Sequence, residues 1–137
     1  MSIKSGDRLP DAVLKTMADD GPAEFNIAEL SKGKKIVIVG LTGAFTTTCH
    51  NTHVPGYLEN LETLKSKGVD EIIILSVNDH NVMDAWGKAM NADGKLKFAA
   101  DFDASFTKEI GMDIDLAIAG LGVRSKRYAM IVDDGIV

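Results

Sequence analysis

Cys49 is the single cysteine of the chain, and it closes the run Gly43-Ala44-Phe45-Thr46-Thr47-Thr48-Cys49. A strand pattern precedes this run and a helical pattern follows it, so the thiol falls at a strand-to-helix junction. The first turn of a helix leaves unpaired N–H groups that favour an anion. A thiol held there can ionise, and the thiolate is the form that attacks. A free thiol titrates near pH 8.5, which leaves only about 3% thiolate at pH 7. Lowering that midpoint to about 6 takes roughly 3.4 kcal/mol of differential stabilisation. A helix N-terminus provides about 0.3–1 kcal/mol, rising to about 2 kcal/mol when partly buried. A cation hydrogen-bonded to the sulfur would supply the remaining ~1.5–3 kcal/mol. By chemistry the candidates are Arg124, Lys126 and Arg127, with His53 four residues along the helix. Thr46, Thr47 and Thr48 add hydroxyls that can cap a helix or hydrogen-bond a reacting group. The competing reading is an inert, buried thiol acting as a small hydrophobe, the commoner fate of a lone cysteine. Residue chemistry alone leaves both readings standing.

The elements that position these residues are legible from periodicity. Ala12 to Lys15 and Glu24 to Ile27 read as short strands around the turn residues Asp19-Asp20-Gly21. Lys35 to Leu41 is a β-branched run of the kind found in a strand covered on both faces. Val54, Tyr57, Leu58, Leu61 and Leu64 recur at helical spacing up to Gly68, a C-cap signal. Pro55 falls inside that pattern, and a kink is expected there. Ile72 to Val77 forms a second buried strand, closed by Asn78-Asp79. Val82, Met83, Trp86 and Met90 mark the next helix, with Trp86 read as core packing rather than a cofactor contact. Phe98 to Asp101 is a short strand, Ala104 to Ile110 a short helix, and Arg127 to Val132 a last strand. Asp133-Asp134-Gly135 is a hairpin turn signal, which implies a mixed sheet. Only Ile136-Val137 follow it, too short to be expected to pair as a useful strand. A single domain over 1–137, cut short at its C-terminus, is the expectation, since sheet edges are normally protected.

Composition narrows the function. The net charge of −5 disfavours a nucleic-acid binder, and one cysteine excludes an internal disulfide framework. His50, His53 and His80 lack the spaced Cys/His/carboxylate partners of a metal centre, so no metal is expected. Gly40-x-x-Gly43 and Gly120-x-Gly122 lack the spacing of nucleotide loops and read as turns; no cofactor is expected. Met1 to Gly6 lack the apolar core of a signal peptide, and no apolar run reaches membrane-spanning length. The expected location is cytoplasmic; a cleaved organellar presequence would leave no trace in the chain.

The stretch Leu41 to Cys49, followed by His53-Val54-Pro55-Gly56-Tyr57, resembles the active-site segment of peroxiredoxins, nearest to the peroxiredoxin-5, type II (AhpC/TSA-like) subfamily. Ser76-Val77-Asn78-Asp79, Ala85-Trp86 and Arg124 to Gly135 agree in order, so the resemblance spans the chain. It implies a thioredoxin-like α/β fold, a mixed central sheet flanked by helices. It also implies a thiol-dependent peroxidase acting on hydrogen peroxide and organic hydroperoxides. Position by position, Cys49 matches the peroxidatic cysteine, whose thiolate becomes sulfenic acid. Thr46 matches the hydroxyl that binds the peroxide, and Arg127 the arginine that holds thiolate and leaving oxygen. Phe45, Thr48 and His53 are expected to support the site: Phe45 as a substrate collar or dimer contact, Thr48 through its hydroxyl, His53 as a hydrogen-bonding neighbour.

Two departures set further expectations. The family carries proline seven residues before the cysteine, where this chain has Thr42, and commonly proline two residues before it, where this chain has Thr47. A looser pocket and weaker activity follow; a redox sensor or relay, or a degenerate member, is the alternative reading. No resolving cysteine is present: Ile74 occupies the position used by plant type II relatives. The Cys49 sulfenic acid is therefore expected to need an outside thiol, glutathione with glutaredoxin or thioredoxin. A homodimer is expected, with neither nucleic-acid nor membrane partners.

Overall fold

The computed structural model describes residues 2–46, 54–92 and 94–137. Six strands form one mixed sheet in the order β2-β1-β5-β4-β3-β8. They are β1 (Val13–Ala18), β2 (Gly21–Asn26), β3 (Lys35–Gly40), β4 (Glu71–Ser76), β5 (Lys97–Ala100) and β8 (Tyr128–Asp133). β3, β4 and β5 run parallel, while β8 lies antiparallel to β3 and β1 antiparallel to both β5 and β2. β6 (Asp113–Asp115) and β7 (Val123–Ser125) pair as a separate antiparallel ribbon joined through a 3₁₀ turn at Ala117–Ala119.

Side chains of a strand alternate between faces, and here each face has its own core. Val37, Val39, Ile72, Ile74, Phe98 and Ala100 pack on one side. The helices there are α2 (Val54–Glu59), α3 (Leu61–Ser66) and α4 (His80–Ala89), through Val54, Leu61, Met83 and Trp86. Ile36, Ile38, Ile73, Leu75, Ala99, Met130 and Val132 pack on the other, where α1 (Ile27–Ser31) and α5 (Ser105–Glu109) supply Ile27 and Phe106. Apolar residues on both faces explain why β3 and β4 read as unbroken apolar runs. Trp86 is fully buried and meets Phe98 edge-on at 5.7 Å, so its reading as core packing holds. Among the described residues no helix is long and apolar enough to cross a membrane.

The kink expected at Pro55 depends on the turn before it, which lies outside the described residues. Further along, the helix is interrupted. The interruption falls at Asn60, between α2 and α3, with φ −101° and ψ 9°. Its side-chain amide donates to the Gly56 carbonyl at 2.8 Å, the same carbonyl that its backbone N–H reaches at 3.2 Å. A side chain competing for a backbone acceptor in this way bends the helix.

The chain end also differs from expectation. Asp134 and Gly135 take positive φ values, 49° and 83°, as a two-residue hairpin turn requires. Beyond it Ile136 and Val137 do pair, with the N-terminal segment rather than with β8 alone. Gly6 N–H donates to Val137 O at 2.7 Å, Val137 N–H to Asp7 O at 2.9 Å, and Leu9 N–H to Gly135 O at 2.8 Å. Two residues suffice because a ready-made edge lies beside them.

At the C-terminal end of β3 a side chain of β8 lies over a glycine. Gly40 pairs with Tyr128, and a Cβ on Gly40 would lie 2.0 Å from the Tyr128 ring. Gly40→Ala is therefore expected to lower unfolding stability by about 1–3 kcal/mol through overpacking. An unchanged urea midpoint would show that the ring can move aside.

Candidate active site

The carboxyl ends of parallel strands are where α/β sheets hold their ligands. Three loops leave that end here. The first, after β3, runs from Leu41 to Thr46; the second follows Ser76 at the end of β4; the third follows Ala100. The antiparallel β8 begins at the same edge, because Tyr128 pairs with Gly40. Arg127, the residue before β8, is delivered there by chain direction, while Arg124 comes from β7 of the separate ribbon.

The first loop folds tightly. Thr46 N–H reaches Gly43 O at 3.4 Å, and the Thr46 hydroxyl donates to the same carbonyl at 2.7 Å. Phe45, the third residue of this turn, has φ 63°. The left-handed region is costly for a residue bearing a Cβ, about 1–3 kcal/mol. The Phe45 ring leans towards Trp86 with centroids 6.2 Å apart, while Phe45 stays 49% exposed. Ala44 N–H donates to Asn78 Oδ1 at 3.0 Å, tying the loop to the end of β4.

The candidate cations separate in space. Arg124 donates through Nε to Leu121 O at 2.8 Å and extends Nη1 to Thr42 O at 3.5 Å. Its guanidinium also covers Gly43, where a Cβ would lie 2.7 Å from Nη1. A side chain at 43 would displace the flexible end of Arg124, and Arg124 is the cation in contact with the described part of the loop. Arg127 is exposed and lines a hollow of about 230 Å³ together with Val39, Leu41, Tyr57 and Ala129. Burial pushes the Tyr57 phenol above its usual range. Cys49, Thr47, Thr48, His50 and His53 lie outside the described residues. Thr42 is half-buried, and its N–H donates to no described residue.

Sequence reasoning missed two residues in this arrangement. Asn78 was legible only as a strand terminator, and Arg124 only as one of three basic side chains. Their contacts to Ala44 and Thr42 are tertiary and leave no periodic signal.

A family model described as Redoxin matches residues 4–137. Peroxiredoxin-2B of Arabidopsis thaliana is 45% identical over 133 residues, covering 96% of this chain and 82% of the relative. This chain belongs to the peroxiredoxins. It is of the type II, peroxiredoxin-5 kind, a thiol-dependent peroxidase with a thioredoxin-like fold. Among solved structures, reduced Prx3 from Vibrio vulnificus in complex with hydrogen peroxide is 47% identical at a TM-score of 0.94. That match covers 98% of this chain and 84% of the other. The Plasmodium falciparum antioxidant protein, a 1-Cys peroxiredoxin, is 31% identical at a TM-score of 0.91. It is covered over 80% of its length, against 98% of this chain.

Tyr128 stands behind the site of this peroxiredoxin. Its phenolic oxygen is buried with no hydrogen-bond partner among the described residues. Burial first, and the negative charge of Asp101 second, push its phenol well above the ordinary value. A group whose folded pKa is raised keeps its stabilising contribution below the unfolded pKa, about 10 for tyrosine, and loses it as pH climbs from there. Unfolding stability is expected to fall from pH 10 upward. Tyr128→Phe should flatten that decline and leave stability at pH 7 equal or higher, since it removes an unpaired buried hydroxyl. Urea titrations at several pH values check both.

Proposed function

We propose that Cys49 is the peroxidatic nucleophile of this peroxiredoxin, with Thr46 binding the peroxide and Arg127 stabilising the charges. The observation that carries this reading is the Thr46 hydroxyl, three residues from Cys49, fixed on the Gly43 carbonyl at 2.7 Å. Its proton is committed to that carbonyl, so its lone pairs remain to accept a hydrogen bond from a peroxide O–H. The Vibrio vulnificus Prx3 structure with bound hydrogen peroxide supports the same substrate for this chain.

In the first step the Cys49 thiolate attacks one peroxide oxygen. An S–O bond forms as the O–O bond breaks; sulfur is oxidised by two electrons, and the leaving oxygen takes up a proton to depart as water or an alcohol. Charge moves from sulfur to the leaving oxygen, and a guanidinium held across both favours that movement. Arg127 is exposed, so its field on the thiolate is partly screened by solvent. In the second step an external thiol attacks the sulfenic sulfur, releasing water and leaving a mixed disulfide. A second thiol then restores Cys49. The sequence carries one cysteine, which supports glutathione with glutaredoxin, or thioredoxin, as the reductant. A compartment rich in reduced thiols, such as the cytoplasm, suits that cycle. Exposed Phe45 beside the site, with the wholly exposed Ile118, supports a homodimer that covers them.

Cys49→Ser should abolish peroxide consumption, and Arg127→Met should slow peroxide oxidation of Cys49 by about 10²–10³-fold. Stopped-flow oxidation with mass detection of the sulfenic acid reads both; a fully active Cys49→Ser protein would refute the assignment. Thr42→Pro should speed the same reaction. The Thr42 N–H that it removes bonds no described residue, and the fixed φ restricts the loop. An unchanged or slower rate would show that Thr42 is not what limits the site.

A further inference from the structure

We propose that Asn78 is a positioning residue for peroxide binding, acting through the turn that carries Thr46; this rests on the reading of Thr46 given above. The end of β4 is the most firmly held point near the site. Leu41 N–H donates to Leu75 O at 2.9 Å, and Asp101 N–H donates to Ser76 O at 3.0 Å, so neighbouring strands grip it from both sides. Ser76 is fully buried, and its hydroxyl lies 3.4 Å from Met83 Sδ on α4. The same hydroxyl donates to Asn78 Oδ1.

Asn78 Oδ1 therefore accepts from two donors, Ser76 on the rigid sheet and Ala44 N–H on the loop at 3.0 Å. An amide oxygen has two lone pairs, and both are used. Ala44 is the second residue of the Gly43–Thr46 turn, whose third residue, Phe45, is in the left-handed region. A turn with that conformation at a phenylalanine needs outside support to persist. Asn78 fixes the Ala44 N–H inside the turn, and the turn fixes where the Thr46 hydroxyl stands. The chain of contacts runs Met83, Ser76, Asn78, Ala44, then Thr46, from the core to the proposed peroxide ligand.

Binding geometry looser by about 1 Å costs on the order of 10²-fold in rate. Asn78→Ala should slow single-turnover oxidation of Cys49 by hydrogen peroxide about 10- to 100-fold. Alkylation of Cys49 by iodoacetamide, compared at equal thiolate fraction, should change less than about twofold, since it uses no Thr46 hydroxyl. The double substitution Asn78→Ala with Thr46→Val should be no slower with peroxide than Thr46→Val alone, because the two act through one group. Ser76→Ala keeps the Ala44 bond but frees the amide, and a smaller loss of the same kind is expected; this variant answers the question should Asn78→Ala not fold. Peroxide rates within about twofold of the parent in both variants, equal losses in peroxide oxidation and alkylation, or losses that multiply in the double variant would each overturn the proposal. If the parent protein itself showed no peroxide oxidation of Cys49, the function reading would fall instead.

Discussion

The placement of β3 between parallel β4 and antiparallel β8 is the constraint on which the site depends. Parallel pairing sends the chain ends of β3 and β4 to one edge, and the antiparallel strand must then begin there. That alone sets Leu41 to Thr46, Asn78 and Arg127 at a common edge, although they are spread over more than half the sequence. The register is held by faces rather than by single bonds. A one-residue slip of β8 would turn Met130 and Val132 out of their core and set the Tyr128 ring against a side chain instead of Gly40. Core packing thus fixes the geometry of a polar site.

The loop after β3 is held by contacts of unequal strength. Ala44 to Asn78 and Thr46 to Gly43 have ordinary hydrogen-bond lengths, 3.0 and 2.7 Å, whereas Arg124 approaches Thr42 O only at 3.5 Å, the limit of such a bond. Arg124 acts more by lying over Gly43 than by its hydrogen bond to the loop. The two arginines therefore divide the work that charge alone could not assign. One covers the loop, and the other lines the hollow beside Tyr57, open to solvent. Net charge and basic clustering are blind to this division, since it depends on Arg124 lying in β7 and Arg127 just before β8.

Most of the fold was legible in the sequence because burial on both faces writes itself as composition. Ile36 to Gly40 and Ile72 to Leu75 are apolar throughout, and Asp134-Gly135 announces a hairpin that the positive φ values confirm. The ribbon of β6 and β7 was not legible: Asp113, Ile114 and Asp115 are all exposed, so no face had to be apolar and no alternation arose. The bend at Asn60 was hidden for a different reason. Asn60 bends the helix by folding its side chain back onto the Gly56 carbonyl, and such a local competition leaves no periodic mark. The pairing of Ile136 and Val137 with Asp7 and its neighbours was hidden because it joins the two ends of the chain, and short-range patterns carry no such information.

The supports of the candidate site were not legible in the sequence. Cysteine, threonine and arginine were assigned from chemistry and resemblance, because each needs a functional group that few side chains offer. The supporting residues need only an acceptor or a flat cation in the right place, which many sequences could provide. Asn78 illustrates the difference. Its own propensity marks a turn after β4, and that local role is fulfilled, yet the same amide oxygen also reaches 34 residues back in sequence to Ala44. The strain at Phe45 makes this second role more than incidental. A turn that costs energy to form will relax unless something outside it prevents relaxation, and here the restraints come from β4 through Asn78 and from α4 through the Phe45–Trp86 contact. With Thr42 in place of a residue that restricts its own backbone, the loop depends on these outside restraints for the order it would otherwise hold by itself.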